Sequence, residues 1–199
     1  MRIGVLVSGS GSNLAALIEQ VHGVTATIAG VCSSNAGALA LERARAADIE
    51  SAVFSLPGHG GDSARRDAAM ADWLEERGVD LVVCAGFMCV LTNGFLARFP
   101  ARVLNLHPSL LPAFPGRSAI DDAYAARVAA TGVTVHLVDE VLDGGPIVAQ
   151  TRVPVNYDET PEGLRSRVHA EEHRLLPAVV ERVARGALDL DDIARKART

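Results

Sequence analysis

The chain has 199 residues, of which 49% are hydrophobic and only 4% aromatic, with a formal net charge of −5. That length fits one domain, and its core must be built from Leu, Val, Ala and Ile rather than from rings. The acidic balance argues against a general nucleic-acid binder, whose footprint is basic, while a small anion held by local donors stays possible.

The opening MRIGVLVSGSGSN lacks the long apolar stretch and cleavage site of a signal peptide. Residues 2–7 instead read as a buried strand, SGSGS as a turn and NLAALIEQV as a helix. Residues 27–33 predict a second strand, 38–47 a helix and 51–56 a weaker third strand. A helix follows over 62–78, with Ala69, Met70, Trp73 and Leu74 as its apolar stripe. Residues 80–86 and 102–107 are the fourth and fifth strands. Their continuous apolarity suggests burial on both faces, as in parallel sheets with helical crossovers. The runs at 132–138 and 146–155 are joined by DEVLDGG, too short for a crossover helix, so that pair is antiparallel. A last helix starts at Pro161 and runs to about Arg185, with Leu164, Val168, Leu175, Leu176, Val179 and Val183 inward. GALDLDDIARKART is read as a peripheral tail. The expected fold is a single α/β domain with a mixed sheet.

The three cysteines, Cys32, Cys84 and Cys89, form no CxxC pair and are read as reduced thiols of a cytoplasmic protein. The longest apolar run, LVVCAGFMCVL, is too short to span a bilayer. No membrane partner is therefore expected.

Three segments carry chemistry. In SGSGSN, Gly9 and Gly11 permit a tight turn, while Ser10, Ser12 and Asn13 add donors at a helix N-terminus. An ordinary strand-to-helix turn has the same composition. A dinucleotide fingerprint fits poorly, because its third glycine falls on Leu14 and no acid ends the second strand. A single phosphate monoester suits the loop better.

In NLHPSLLPAFPG, Asn105 and His107 lie two apart at a strand's C-terminal end, so both face the same side, at the edge where open α/β sheets place ligands. An amide and an imidazole side by side, followed by a proline-stiffened segment, make an oxyanion-stabilising pair with a built-in acid. In DEVLDGGP, Asp143 is either part of a solvated acidic turn or folds over the same edge, where it would raise the imidazole pKa. HAEEH places His169 and His173 on one helix face, but no Glu follows the first His directly as a zinc-protease motif requires, and no metal is expected. His22, His59 and His136 show no partner in sequence and are read as structural or exposed.

Taken together, SGSGSN, AGFM at 85–88, NLHPSLLPAFPG, TVHLVDEVLDGGPI and EEH resemble the glycinamide ribonucleotide (GAR) formyltransferase family of the formyltransferase superfamily, in order across residues 1–185. The resemblance implies a Rossmann-like three-layer sandwich, a mostly parallel sheet with an antiparallel C-terminal strand and helices on both faces. It implies a formyltransferase domain over 1–188 and a tail over 189–199. The implied substrates are GAR and 10-formyltetrahydrofolate, the formyl donor, in a monomer or homodimer. By the same resemblance Asn105, His107 and Asp143 are catalytic, and Gly11, Ser12, Asn13, Pro108 and Glu172 bind GAR. Met88, Cys89, Val90, Leu91, Asn105 and Leu142 line the folate site. Two departures stand out: the family's arginine after AGFM is Cys89 here, and another falls on Ser63, with Arg65 or Arg66 as the nearest replacement. The alternatives are a methionyl-tRNA or nucleotide-sugar formyltransferase, a formyltetrahydrofolate hydrolase, or an inert phosphate-binding module. The first three are expected to carry an additional domain.

Overall fold

In the computed structural model, which describes residues 1–197, the first half of the chain alternates strand and helix. Strand β1 (Arg2–Val7) leads through the glycine loop to α1 (Ser12–Gln20), then β2 (Thr27–Ser33), α2 (Leu39–Ala46) and β3 (Ser51–Val53). Helix α3 (Ser63–Glu76) precedes β4 (Leu81–Cys84), a short α4 (Asn93–Leu96) and β5 (Val103–His107). Next come α5 (Ala119–Ala125), β6 (Ala130–Leu137), β7 (Ile147–Pro154), α6 (Pro161–Ala184) and α7 (Leu190–Lys196).

The seven strands form one sheet in the order β3-β2-β1-β4-β5-β6-β7. The first five run parallel; β6 is reversed against both β5 and β7. Strand order reverses direction between β1 and β4, so the loops after their C-terminal ends diverge and open a crevice there. Burial is two-sided, as the continuous apolar runs require: β4 is buried throughout, and β1 at every residue but Arg2. One face packs Val5, Val83, Leu104 and Val135 against α1, α5 and α6, and the other packs Leu6, Val82 and Val103 against α3 and α4. No helix among the described residues is long and apolar enough to cross a membrane.

The helix starts follow local chemistry. Asp62 caps α3 by accepting from the N–H groups of Ala64 and Arg65 at 2.9 and 3.1 Å. Thr160 caps α6, whose first residue is Pro161, where a missing N–H costs nothing. Three expectations change. β3 stops at Val53, although the Phe54 N–H still donates to the Ser33 carbonyl at 2.7 Å and its ring packs into the core beside Trp73. Helices α4 and α5 are additional, each too short to show a period. Residues 190–196, read as a tail, form α7, with Leu190 buried and Asp191 paired to Arg102 at 2.6 Å.

The α3 face rests on one close approach. A Cβ added to Gly30 of β2 would lie 2.5 Å from two ring carbons of Trp73 and 3.3 Å from Arg77 Cδ, whose guanidinium stacks on that ring at 3.6 Å. Gly30→Ala should therefore overpack the face and lower stability by about 1–3 kcal/mol. Trp73 is the sole tryptophan, so its fluorescence in a urea titration reads both the displacement and the lowered midpoint.

Candidate active site

The C-terminal ends of β4 and β5 are in register, with Cys84 beside Asn105, and antiparallel β6 then sets His136 opposite Asn105. Two loops close over this edge. The loop after β4 is fixed at three points: the Met88 N–H donates to Ser8 Oγ at 2.8 Å, the Thr92 N–H to Asp67 Oδ2 at 2.7 Å, and Arg66 Nη2 to the Val90 carbonyl at 3.0 Å. The loop after β6 carries Asp143 at φ 52°, a left-handed conformation that Asp tolerates better than most residues. Between them lies a cleft of about 220 Å³.

Asn105, His107 and Asp143 meet inside it. Asn105 Nδ2 lies 3.0 Å from His136 Nε2 and 3.4 Å from Asp143 Oδ1. His107 is 4% exposed; its Nε2 lies 2.8 Å from the Phe114 carbonyl and its Nδ1 3.5 Å from Asp143 Oδ2. The ring thus meets an acceptor at each nitrogen, and only the doubly protonated form donates to both. Asp143 Oδ2 also accepts the Gly116 N–H at 2.8 Å. Its carboxyl is held below the usual range, first by His136, then by the Gly116 N–H and the charges of His107 and His136, against the opposing effect of burial. The His136 Nε2 lies 3.7 Å from Asp143 Oδ1, beyond hydrogen-bond reach.

Pro108, Met88, Cys89, Val90, Leu91 and Leu142 line the same cleft. Cys84 lines it too, with its thiol pushed up to about 12 by burial and then by the Asp67 charge, so it stays protonated. Gly11, Ser12, Asn13 and Glu172 are not among the lining residues and gather separately at the start of α1. Gly11 precedes α1 at φ 71°, and a Cβ there would lie 2.6 Å from that of Ala40. Asn13 Nδ2 donates to Glu172 Oε2 at 3.1 Å, and His169 Nδ1 reaches the same oxygen at 2.8 Å. That contact raises the His169 pKa and favours its cation.

Arg65 and Arg66, the nearest replacements for the arginine absent at Ser63, stand outside the cleft. Arg66 is 2% exposed, paired with Asp67 at 2.6 Å and held over Phe87, and neither Arg65 nor Arg66 lines the cleft. Two residues were missed from sequence. His136 becomes visible only once β6 is paired antiparallel with β5, and Arg117, exposed at the cleft wall, donates from Nη2 to the Met88 carbonyl at 2.6 Å.

Residues 1–180 match the family model described as Formyl transferase. The chain is 39% identical over 193 residues to the phosphoribosylglycinamide formyltransferase of Haemophilus influenzae, covering 96% of this chain and 91% of that one. It is 40% identical over 195 residues to the trifunctional purine biosynthetic protein adenosine-3 of Chironomus tentans, where it covers 96% of this chain but only 14% of the relative. The crystal structure of glycinamide ribonucleotide transformylase 1 from Symbiobacterium toebii superposes with a TM-score of 0.89 at 43% identity, over 94% of this chain and 88% of that one.

The lowered Asp143 carboxyl makes a testable difference in acid. A depressed native pKa stabilises the fold above the unfolded value of about 3.9 and loses that contribution as pH falls through the native value. Asp143→Asn should be less stable than the parent near neutrality, and the gap should close as pH drops below about 4. Urea midpoints across pH 2–7 check it; a gap that stays constant through the acid range would show the carboxylate charge to be irrelevant.

Proposed function

The chain belongs to the formyl transferase family, and from that membership we propose that its acceptor is the amine of 5-phosphoribosylglycinamide. The formyl donor is 10-formyltetrahydrofolate, and the products are formyl-GAR and tetrahydrofolate, a step of de novo purine (IMP) synthesis in the cytoplasm. One observation carries the reading. Asn105 Nδ2 and His107 Nδ1 both point at Asp143 across long contacts of 3.4 and 3.5 Å, inside a cleft with an apolar mouth. Such weak contacts are readily exchanged for a stronger acceptor, and a developing oxyanion is one.

The chemistry follows from the geometry. The glycinamide amine, with a pKa near about 8 as for an α-amino group, is accessible as a free base at neutral pH. It attacks the formyl carbon, and negative charge builds on the formyl oxygen. Asn105 and the imidazolium of His107 donate to that oxygen. The Phe114 carbonyl fixes the far side of the ring, so little reorganisation accompanies the reaction. Asp143 balances the imidazolium, and through water it takes the proton shed by the attacking nitrogen. Collapse of the intermediate breaks the bond to N10 of the donor, which takes up that proton from Asp143 through water and leaves as tetrahydrofolate.

The formyl donor enters between the 86–91 and 138–142 segments, with Met88, Cys89, Val90, Leu91 and Leu142 as apolar walls and Asn105 at the reacting end. The GAR phosphate lies on the backbone N–H groups of Gly11, Ser12 and Asn13 and on the Ser12 hydroxyl at the start of α1, where the helix dipole favours an anion. Pro108 lies on the path between the phosphate and the reacting amine. Glu172, anchored by Asn13 and His169, faces the glycinamide part of the substrate.

The direct test is to incubate the protein with GAR and 10-formyltetrahydrofolate and follow release of tetrahydrofolate; no release would end the reading. Removing one oxyanion donor typically lowers kcat by about 10²–10³-fold. His107→Ala should lose about that much in kcat with little change in either KM, because the donor acts on charge that exists only in the transition state. Near-parental turnover would remove His107 from the catalytic set.

Ser12→Ala tests the phosphate loop more cleanly than any change at Gly11, whose Cβ would collide with Ala40. Losing one charge-assisted hydrogen bond should raise the KM for GAR about tenfold. The KM for the folate should not move, and equal rises for both substrates would place Ser12 elsewhere.

A further inference from the structure

Among the described residues, Arg117 is the one arginine that lines the cleft, and it makes no ion pair there. It belongs to the segment between β5 and α5, directly after Gly116, whose N–H is held by Asp143. Its Nη2 donates across to the Met88 carbonyl at 2.6 Å, and Met88 is in turn held by Ser8. An exposed guanidinium is ordinarily a mobile charge, and here it is tied at one nitrogen to a fixed backbone carbonyl. The remaining N–H groups form a planar fork whose orientation is already set, which lowers the ordering cost of binding.

The surroundings say what that fork faces. The exposed apolar side chains of Met88, Val90, Val141 and Leu142, at 49%, 69%, 61% and 64%, frame the mouth. Within the proposed reaction, the formyl nitrogen N10 sits at Asn105 and His107. The donor's ring system lies between the apolar walls, and its benzoyl-glutamate arm must then leave through the mouth. That arm ends in carboxylates, the partners a planar guanidinium binds best.

We propose that Arg117 is a specificity-determining residue for the formyl donor, binding a carboxylate of its glutamate tail at the cleft mouth. The proposal rests on the formyl-donor reading above. It places the tail contact on Arg117 rather than on Arg65 or Arg66, the second of which is spent on Asp67 and Val90. The neighbouring acids Asp139 and Glu140 give the mouth no general positive field, so one guanidinium decides whether the tail is felt.

Binding rather than turnover is the readout, so that failure of the tail contact and failure of the reaction stay separate. Calorimetry would compare tetrahydrofolate with tetrahydropteroate, which lacks the glutamate, on the parent, Arg117→Ala, Arg117→Lys and Arg65→Ala. The parent should prefer the glutamate-bearing ligand, and added salt should weaken that preference. Arg117→Ala should weaken tetrahydrofolate binding about three- to tenfold, between the values of an exposed ion pair and a charge-assisted hydrogen bond, and leave tetrahydropteroate unchanged. Arg117→Lys should recover part of the loss, since it keeps the charge without the fork. Equal weakening for both ligands, no weakening for either, or a tail-dependent loss in Arg65→Ala instead would each overturn the proposal. Formyl transfer to GAR by the parent, assayed in parallel, reports on the reaction alone.

Discussion

The carboxylate of Asp143 ties together three stretches of chain that are distant in sequence. Gly116 from the segment after β5 donates to it, Asn105 at the end of that strand reaches it, and His107 two residues on faces it from below. A buried carboxylate without partners would protonate or be driven to solvent. Here the N–H of Gly116 and the adjacent rings keep it ionised, and it in turn gives both side chains of the β5 end a common direction. The left-handed backbone at Asp143 follows from the same demand, since the turn must fold back over the sheet edge to deliver the carboxylate.

The cleft depends on that tie and on an equally firm opposite wall. The loop after β4 has no secondary structure of its own between Cys84 and α4, yet three hydrogen bonds fix it. Two of them originate in the Arg66–Asp67 pair, which is buried inside the α3 face. Removing either partner would strand a charge in an apolar layer, so the pair is more than a surface ornament on the helix. Walls held in this way keep the buried His107 and the half-buried Asn105 pre-set, so their donors need little reorganisation.

A second polar cluster stands apart from the cleft. Glu172 is buried on α6, yet Asn13 and His169 satisfy one of its oxygens, and among the described residues the Asn13 Oδ1 has no partner. The cluster couples the start of α1 to the long helix that packs along it. The N–H groups of the helix start therefore face the part of the sheet edge after β1, and the donors of Asn105 and His107 face the part after β5. Such a separation suits a bipartite substrate, with a phosphate at one pole and a reacting amine at the other.

The sequence by itself determined the sheet, its parallel majority and the residues at its active edge, because strands buried on both faces leave unbroken apolar runs and the glycine loop and NLHPS mark where two of them end. It determined that Asn105 and His107 share a side, since a period of two cannot do otherwise. It did not reveal α4, α5 or the packing of α7, whose four to seven residues carry too few turns to show a period. Nor could it choose between a solvated turn and a place over the sheet edge for Asp143, because that depends on a backbone reversal in a loop. Only tertiary structure brought His136 beside Asn105, through a cross-strand register between segments 31 residues apart. Only tertiary structure, too, committed Arg66 to the core and left Arg117 at the cleft mouth. Both arginines look alike in sequence, and what separates them is whether a buried carboxylate lies within reach.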